Sequence, residues 1–338
     1  MTRPPFDRWF DRFLDSWLAW HPITATLLGA TDFDHTLPDY SRDANADRIA
    51  RARALIAELD ALPWQDHTEA QQYDRILARG ALELLIWETN APFFQTGNPV
   101  QHTTEAIVSV ASLFWNETVP LGDRVEAAVA RMRQIPAFLE TARQVRAAPL
   151  PWTELAIRQA NAGAEFFGIG LAQLAEERGI ERPAFLEQAA IAAEAVAEHA
   201  SWLGSVLAER RIGIHTVGAG AIDRYLHLGH VLPAAQTAEW WFTYAHEELV
   251  EATTELRELT RAIDWRNAPR ALLRQLPAIH PTPETYASTF PAVWNWAREI
   301  AERAELLTWP DGPVAFKPIP AYERGIREVI DLPVYYGA

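Results

Sequence analysis

Apolar positions recur at helical spacing along most of the chain. Leu121, Val125, Val129, Met132, Ile135 and Leu139 fall three or four residues apart. Arg124, Glu126, Arg131 and Arg133 lie between them, which predicts one amphipathic helix with these charges on its solvent face. Residues 183–211, rich in Ala, Leu and Glu, predict a long helix that carries Gly204 late in its course. Residues 234–263 have the same composition and predict another. Tyr286, Phe290, Val293, Ala297, Ile300, Ala304 and Leu307 keep a seven-residue apolar repeat, as a helix lying against a neighbour does. Thr282 and Pro283 supply a cap and a first-turn proline for that helix, and Pro291 predicts a kink or a restart within it.

Turn chemistry separates these segments, as at Gly97-Asn98-Pro99, Val119-Pro120-Leu121-Gly122 and Ala148-Pro149-Leu150-Pro151. Period-two alternation is scarce, so the fold class is all-α. The tail differs. Trp309 to Pro313 reads as a turn, and Val314 to Tyr322 as extended chain, because Pro318 and Pro320 exclude helix. The final Leu332 to Ala338 is apolar and aromatic, which is awkward unless something covers it. The predicted organisation is a helical body over 1–308 and a Pro-rich extended tail over 309–338, a possible partner contact.

Composition narrows the function classes. The 338 residues are 49% hydrophobic and 22% charged, the balance of a folded protein with a substantial core. The net charge of −15 repels phosphate backbones, which argues against nucleic acid. Lys317 is the only lysine. With no cysteine, disulfides, thiolate zinc sites and cysteine nucleophiles are excluded. The first residues carry no uninterrupted apolar core of a signal peptide, and runs such as Leu84-Leu85-Ile86-Trp87 are far too short to cross a bilayer. The expectation is a cytoplasmic protein away from membranes.

No G-x-S-x-G elbow occurs, and the glycines at 163, 168 and 170 do not follow a strand, so neither a serine-nucleophile turn nor a phosphate loop is expected. No H-E-x-x-H segment occurs either. The nearest stretch, His246 to Glu251, has Val250 where the second His belongs. His227 and His230 lie one turn apart if 222–231 is helical. With His246 and Glu247 they form the fallback metal set, against the plainer reading of ordinary polar helix residues. His21, before Pro22, is read as fixing a turn between two helices, and His35, beside Asp32 and Asp34, as a loop residue that caps a helix or meets a ligand. The chain holds 14 Trp, 14 Phe and 8 Tyr, and Trp240, Trp241, Phe242 and Tyr244 cannot all face inward on one helix. Some of these rings should meet a second helical layer, a cleft or a partner.

Three ordered segments resemble one family. Trp20-His21-Pro22-Ile23-Thr24-Ala25-Thr26-Leu27-Leu28-Gly29, with Asp34 and then Leu37-Pro38-Asp39-Tyr40-Ser41, is similar to the opening of the bacterial "domain of unknown function 885" family. Trp152 to Ala160 resembles its mid-chain helix, and Leu306 to Pro313 the segment leading towards its catalytic region. The resemblance implies an all-helical, neurolysin-like fold with a deep cleft between two halves, and a zinc motif of H-E-x-x-P-G-H type on a helix of the C-terminal half. No position here matches that motif, so no zinc ligand carries over. The resemblance covers about the first half to two-thirds of a typical member.

Three readings follow. The chain is the substrate-positioning and scaffold half of a split zinc peptidase-like hydrolase, with zinc on a partner chain and a peptide-like or amide substrate. Otherwise it is a stand-alone binding or scaffold protein without catalysis, or an independent hydrolase using its own His/Glu set. On the first reading it holds no cofactor itself and no catalytic residue. Arg158, Tyr225, His227 and Tyr322 are then the candidate substrate contacts, since cleft walls combine aromatic surface with a few polar groups.

Overall fold

Sixteen residues of alternating aromatic and charged character open the structure as helix α1, Pro5–Trp20, whose Phe6, Trp9 and Phe13 turn one face inward. The computed structural model describes residues 4–63, 67–115, 117, 119–210, 212–213, 216–266, 268–275, 280–308 and 314–331. Among them the regular structure is all helical, with no strand. No described helix is long and apolar enough to cross a membrane.

The chain divides into two units, residues 1–238 with 321–338, and residues 239–320. In the first unit α1 is followed by α2 (Pro22–Leu27), α3 (Arg42–Asp60) and α4 (Glu69–Asn90). The Ser41 hydroxyl caps α3 by accepting from the Ala44 N–H, and Thr68 and Gln71 form a reciprocal capping box on α4. Phe6, Trp9 and Phe13 pack with Leu55, Leu59 and Leu82 into one core, where the buried Trp9 indole donates to the Leu55 carbonyl.

A larger core is built by α5 (Pro99–Ala111), α6 (Leu121–Thr141), α7 (Leu150–Glu165) and α9 (Pro183–Trp202), with α8 (Leu171–Arg178) beside them. α6 lies on α9 and α5, and α7 on α9 and α5. Close approach depends on small residues. A Cβ at Gly163 of α7 would lie 2.5 Å from the Ile107 side chain of α5. α8 ends on Gly179 in the left-handed region, with φ of 66°.

The expected apolar stripe of α6 is buried, and Glu126 and Arg133 are exposed as predicted. Arg124 and Arg131 are not: both are buried, Arg131 completely. They share a helix face with Ala128 and Ile135, a second inward stripe beside the first, so their position on a polar face is corrected. The predicted 183–211 helix is α-helical to Trp202 and continues as a π-turn over Leu203–Leu207 that contains Gly204; Arg211 lies outside the described residues. Further π-turns span Phe166–Gly170 and Tyr225–Gly229, the last directly after α10, Ala219–Arg224.

The tail also departs from expectation. Residues 314–320 have no regular structure, in keeping with Pro318 and Pro320. The extended reading fails from Ala321 onward, where a 3-10 turn, Ala321–Glu323, leads into α14, Arg324–Arg327. Tyr322, Ile326 and Ile330 are buried in the large core. Glu323 accepts from the Trp115 indole over 2.9 Å and pairs with Arg327 over 2.8 Å, which fixes the segment. Gly170 makes room for it, since a Cβ there would lie 2.8 Å from the Tyr322 carbonyl oxygen. The 309–338 segment is therefore shared between the units, with 314–320 in the second and 321–331 in the first. The turn at Trp309–Pro313 and the final Leu332–Ala338 lie outside the described residues.

The second unit consists of most of α11 (Ala238–Ile263), with α12 (Pro269–Leu273) and α13 (Pro283–Arg303). α13 runs through Pro291 without a restart, and Thr282 caps it with Thr285. Its apolar repeat is largely solvent-facing: Tyr286, Phe290, Val293 and Ile300 are all exposed.

Candidate functional site

The C-terminal turns of α4 meet the π-turn after α10. The approach is close because residue 80 is glycine; a Cβ there would overlap the Leu228 carbonyl. It sets Tyr225 against α4, where its hydroxyl donates to the Glu88 carboxylate. The Tyr225 ring meets Trp87 edge-on, with centroids 5.6 Å apart, and Phe94 approaches Trp87 in the same manner at 5.8 Å. Arg224, one residue earlier, lies over the Trp87 ring, 5.6 Å from its centroid. Burial pushes the Glu88 carboxyl above its ordinary value, and the Tyr225 hydrogen bond works against that rise. Burial, and then the Glu88 carboxylate, raises the Tyr225 phenol, so the proton stays on tyrosine.

Beside this contact lies a cavity of about 600 Å³, within the size range of small-molecule sites. Ile86, Trp87 and Phe93 supply apolar wall; Glu83, Asn90 and Arg224 supply the polar groups. Glu83 is already paired with Arg79 over 2.9 Å, and Arg79 also reaches Asp60. The Asn90 side chain donates to the Ile86 carbonyl, which leaves its own oxygen facing other uses. Arg224 is exposed and, among the described residues, makes no hydrogen bond or ion pair.

A second polar cluster joins α5 to the loop before α3. The Tyr40 hydroxyl donates to Glu105 over 2.8 Å, and the Gln101 amide donates to both. The Arg48 guanidinium lies over the Tyr40 ring and donates to the Asp39 carbonyl. Burial pushes the Glu105 carboxyl up to about 7. His102 is fully buried, with neither ring nitrogen hydrogen-bonded, and burial holds it down at about 3. Burial also lowers His199, to about 4, where its ring contacts the Thr103 hydroxyl at 3.3 Å. Trp20, Leu37, Asp39 and Arg48 line a smaller cavity of about 490 Å³ next to this cluster.

The sequence-predicted residues fall unevenly. Tyr225 sits at the first site. His227 is on the same π-turn, but its ring engages the Leu232 carbonyl at 3.2 Å and does not line the cavity. Arg158 is exposed on α7 and lines neither cavity. Tyr322 is buried in the large core and lines neither cavity. His227 and His230 belong to the first unit, His246 and Glu247 to α11 in the second. Among the described residues no group of three His, Cys, Asp or Glu is gathered that could hold a metal ion. His21 ends α1 and precedes α2, its ring bonded to the Trp17 carbonyl at 2.8 Å, as the turn reading requires. His35 is exposed, and its carbonyl accepts from Gln134.

Sequence reasoning missed Arg224, Trp87 and Asn90. The signal available for Arg224 was its position next to Tyr225. Trp87 and Asn90 gave none, because a helix end reads the same whether it borders a cavity or packs.

No curated protein matches this chain. Its fold is shared with a solved structure of a provisionally classed lipoprotein of unknown function from Shewanella oneidensis. The TM-score is 0.70 at 20% identity, over 92% of this chain and 59% of the other. The chain thus spans 59% of the length of this solved protein. The sequence family described as "Bacterial protein of unknown function (DUF885)" matches residues 22–332, most of the chain. The motif-bearing stretches around Trp20 to Ser41 and Trp152 to Ala160 lie within that match or at its edge, and on this evidence the chain belongs to the DUF885 family.

Proposed function

We propose that this chain is the scaffold and substrate-positioning half of a two-part, zinc peptidase-like hydrolase whose metal-bearing helix is on a second polypeptide. The apolar surface of residues 239–320 carries the reading. Phe242 and Ile263 on α11 are each 76% exposed, and Leu249, Leu259, Val293 and Trp296 are more than half exposed. Soluble monomers rarely leave large contiguous apolar surface in water, and aromatic residues of this kind concentrate at the centres of interfaces. The matched Shewanella oneidensis protein is longer than the region it shares with this chain. No H-E-x-x-H segment occurs in these 338 residues, so on this reading the metal ligands lie outside them.

Zinc bound on the partner would polarise an amide carbonyl and lower the pKa of its water. This chain's own residues would bind and orient the substrate, with the cavity between α4 and α10 as the wall that does so.

Co-expression with a helical protein bearing a zinc motif, encoded next to this chain, tests the reading. The expected result is a stoichiometric complex that contains zinc and hydrolyses peptides, weakened by Phe242→Gln with Ile263→Gln. Peptide hydrolysis by the isolated chain, or absence of any zinc-bearing partner from pull-downs in the native host, overturns it.

A further inference from the structure

We infer that the cavity at the C-terminal end of α4 takes a carboxylate joined to an apolar group through an amide, as at the chain end of a peptide or in an N-acylated amino acid. The cation is Arg224. Its Cζ lies 5.6 Å from the Trp87 ring centroid, at the edge of the cavity, and a guanidinium can grip a carboxylate with two parallel hydrogen bonds. Among the described residues the Arg224 side chain makes no ion pair, so no internal carboxylate competes for it. The only acid on the cavity wall, Glu83, is held by Arg79 and so does not compete.

The remaining wall selects among anions. Ile86, Trp87 and Phe93 offer apolar surface for a side chain, which disfavours small hydrated anions. Asn90 gives one N–H to the Ile86 carbonyl and keeps its oxygen as an acceptor, which suits a ligand amide N–H.

The inference deepens the substrate-positioning role proposed above and rests on it only for calling the ligand a substrate. Binding is measured on this chain alone. A failed search for the zinc partner therefore leaves it standing, and a failed titration leaves the partner standing.

The test is calorimetric or NMR titration of the purified chain with N-acetyl-L-phenylalanine and with its uncharged amide. The acid should bind about tenfold more tightly or better, the factor expected for one charge-assisted bidentate contact. Arg224→Gln should erase the difference and Arg224→Lys should keep part of it, while both variants fold, because Arg224 is exposed. Equal affinity for acid and amide, an acid preference that survives Arg224→Gln, or no saturable binding of the acid each overturns the inference.

Discussion

The Arg131 guanidinium donates to the Thr26 hydroxyl over 2.6 Å, and Thr26 donates in turn to the Asp34 carboxylate over 2.5 Å. The same arginine reaches the carbonyls of Ser109, Pro22, Phe33 and Thr36. One buried charge on α6 therefore holds the α2 turn and the loop after it, about a hundred residues earlier in the chain. Burial lowers Arg131 to about 10, still far above neutrality, so it remains charged.

Removing it should be severe. Arg131→Met leaves Asp34 buried without its cation and several carbonyls without donors, and should destabilise the first unit by about 3–5 kcal/mol. Arg131→Lys should recover only part, because an ammonium cannot reach so many acceptors in one plane. Urea unfolding followed by near-UV circular dichroism measures both.

Glu105 predicts a pH dependence of definite sign. Its carboxyl is raised to about 7 in the folded protein, against about 4.3 in an unfolded chain. Its contribution to stability is thus complete below about 4.3 and is lost as pH rises through 7. His102 and His199, depressed to about 3 and about 4, act oppositely. They contribute fully above about 6.5, and that contribution drains away as pH falls through their folded values. Glu105→Gln separates the two effects. The stability difference, wild type minus variant, should fall steadily from pH 4.5 to 7 and be flat above, as read from urea unfolding at each pH.

Gly80→Ala should push the Leu228 backbone off α4 and cost about 1–3 kcal/mol, the usual range for forcing atoms into a filled contact. It should also weaken binding of N-acetyl-L-phenylalanine, since Arg224 and Tyr225 ride on the displaced segment. Gly122→Ala, on the first turn of α6 with open space around it, is the control and should leave binding unchanged.

Glu323→Ala withdraws the acceptor of the Trp115 indole and the partner of Arg327, both in a buried setting. A loss of about 3 kcal/mol is expected. Trp115→Phe should cost about 1–3 kcal/mol, since it withdraws the indole donor from the buried Glu323 and leaves a small void, while keeping a ring under Arg327. Thermal melts of the two variants give the comparison.

How much of this was legible in the sequence depended on the kind of signal. Helices with a regular apolar spacing, such as α6 and α13, were readable as helices, and so were the cap at Thr282 and the turn at His21. The burial of Arg124 and Arg131 was not, because a charged residue beside an apolar stripe reads as solvent-facing until its partners from distant loops are known. The π-turns were equally hidden, since an extra residue in a helix leaves no compositional mark beyond Gly168, Gly204 or Gly229. The candidate site was half visible. Tyr225 stood out as an aromatic with a polar tip. The cavity beside it arises from where α4 ends relative to α10, a long-range relationship that spacing along one helix cannot encode.

The return of residues 321–331 to the first unit makes 239–320 an excursion fastened at both ends. A protease cutting between α11 and α12 would therefore not release a C-terminal fragment in native buffer. The severed piece would stay moored through the Trp115–Glu323 bond and the buried Ile326 and Ile330, and would part from the rest only in denaturant.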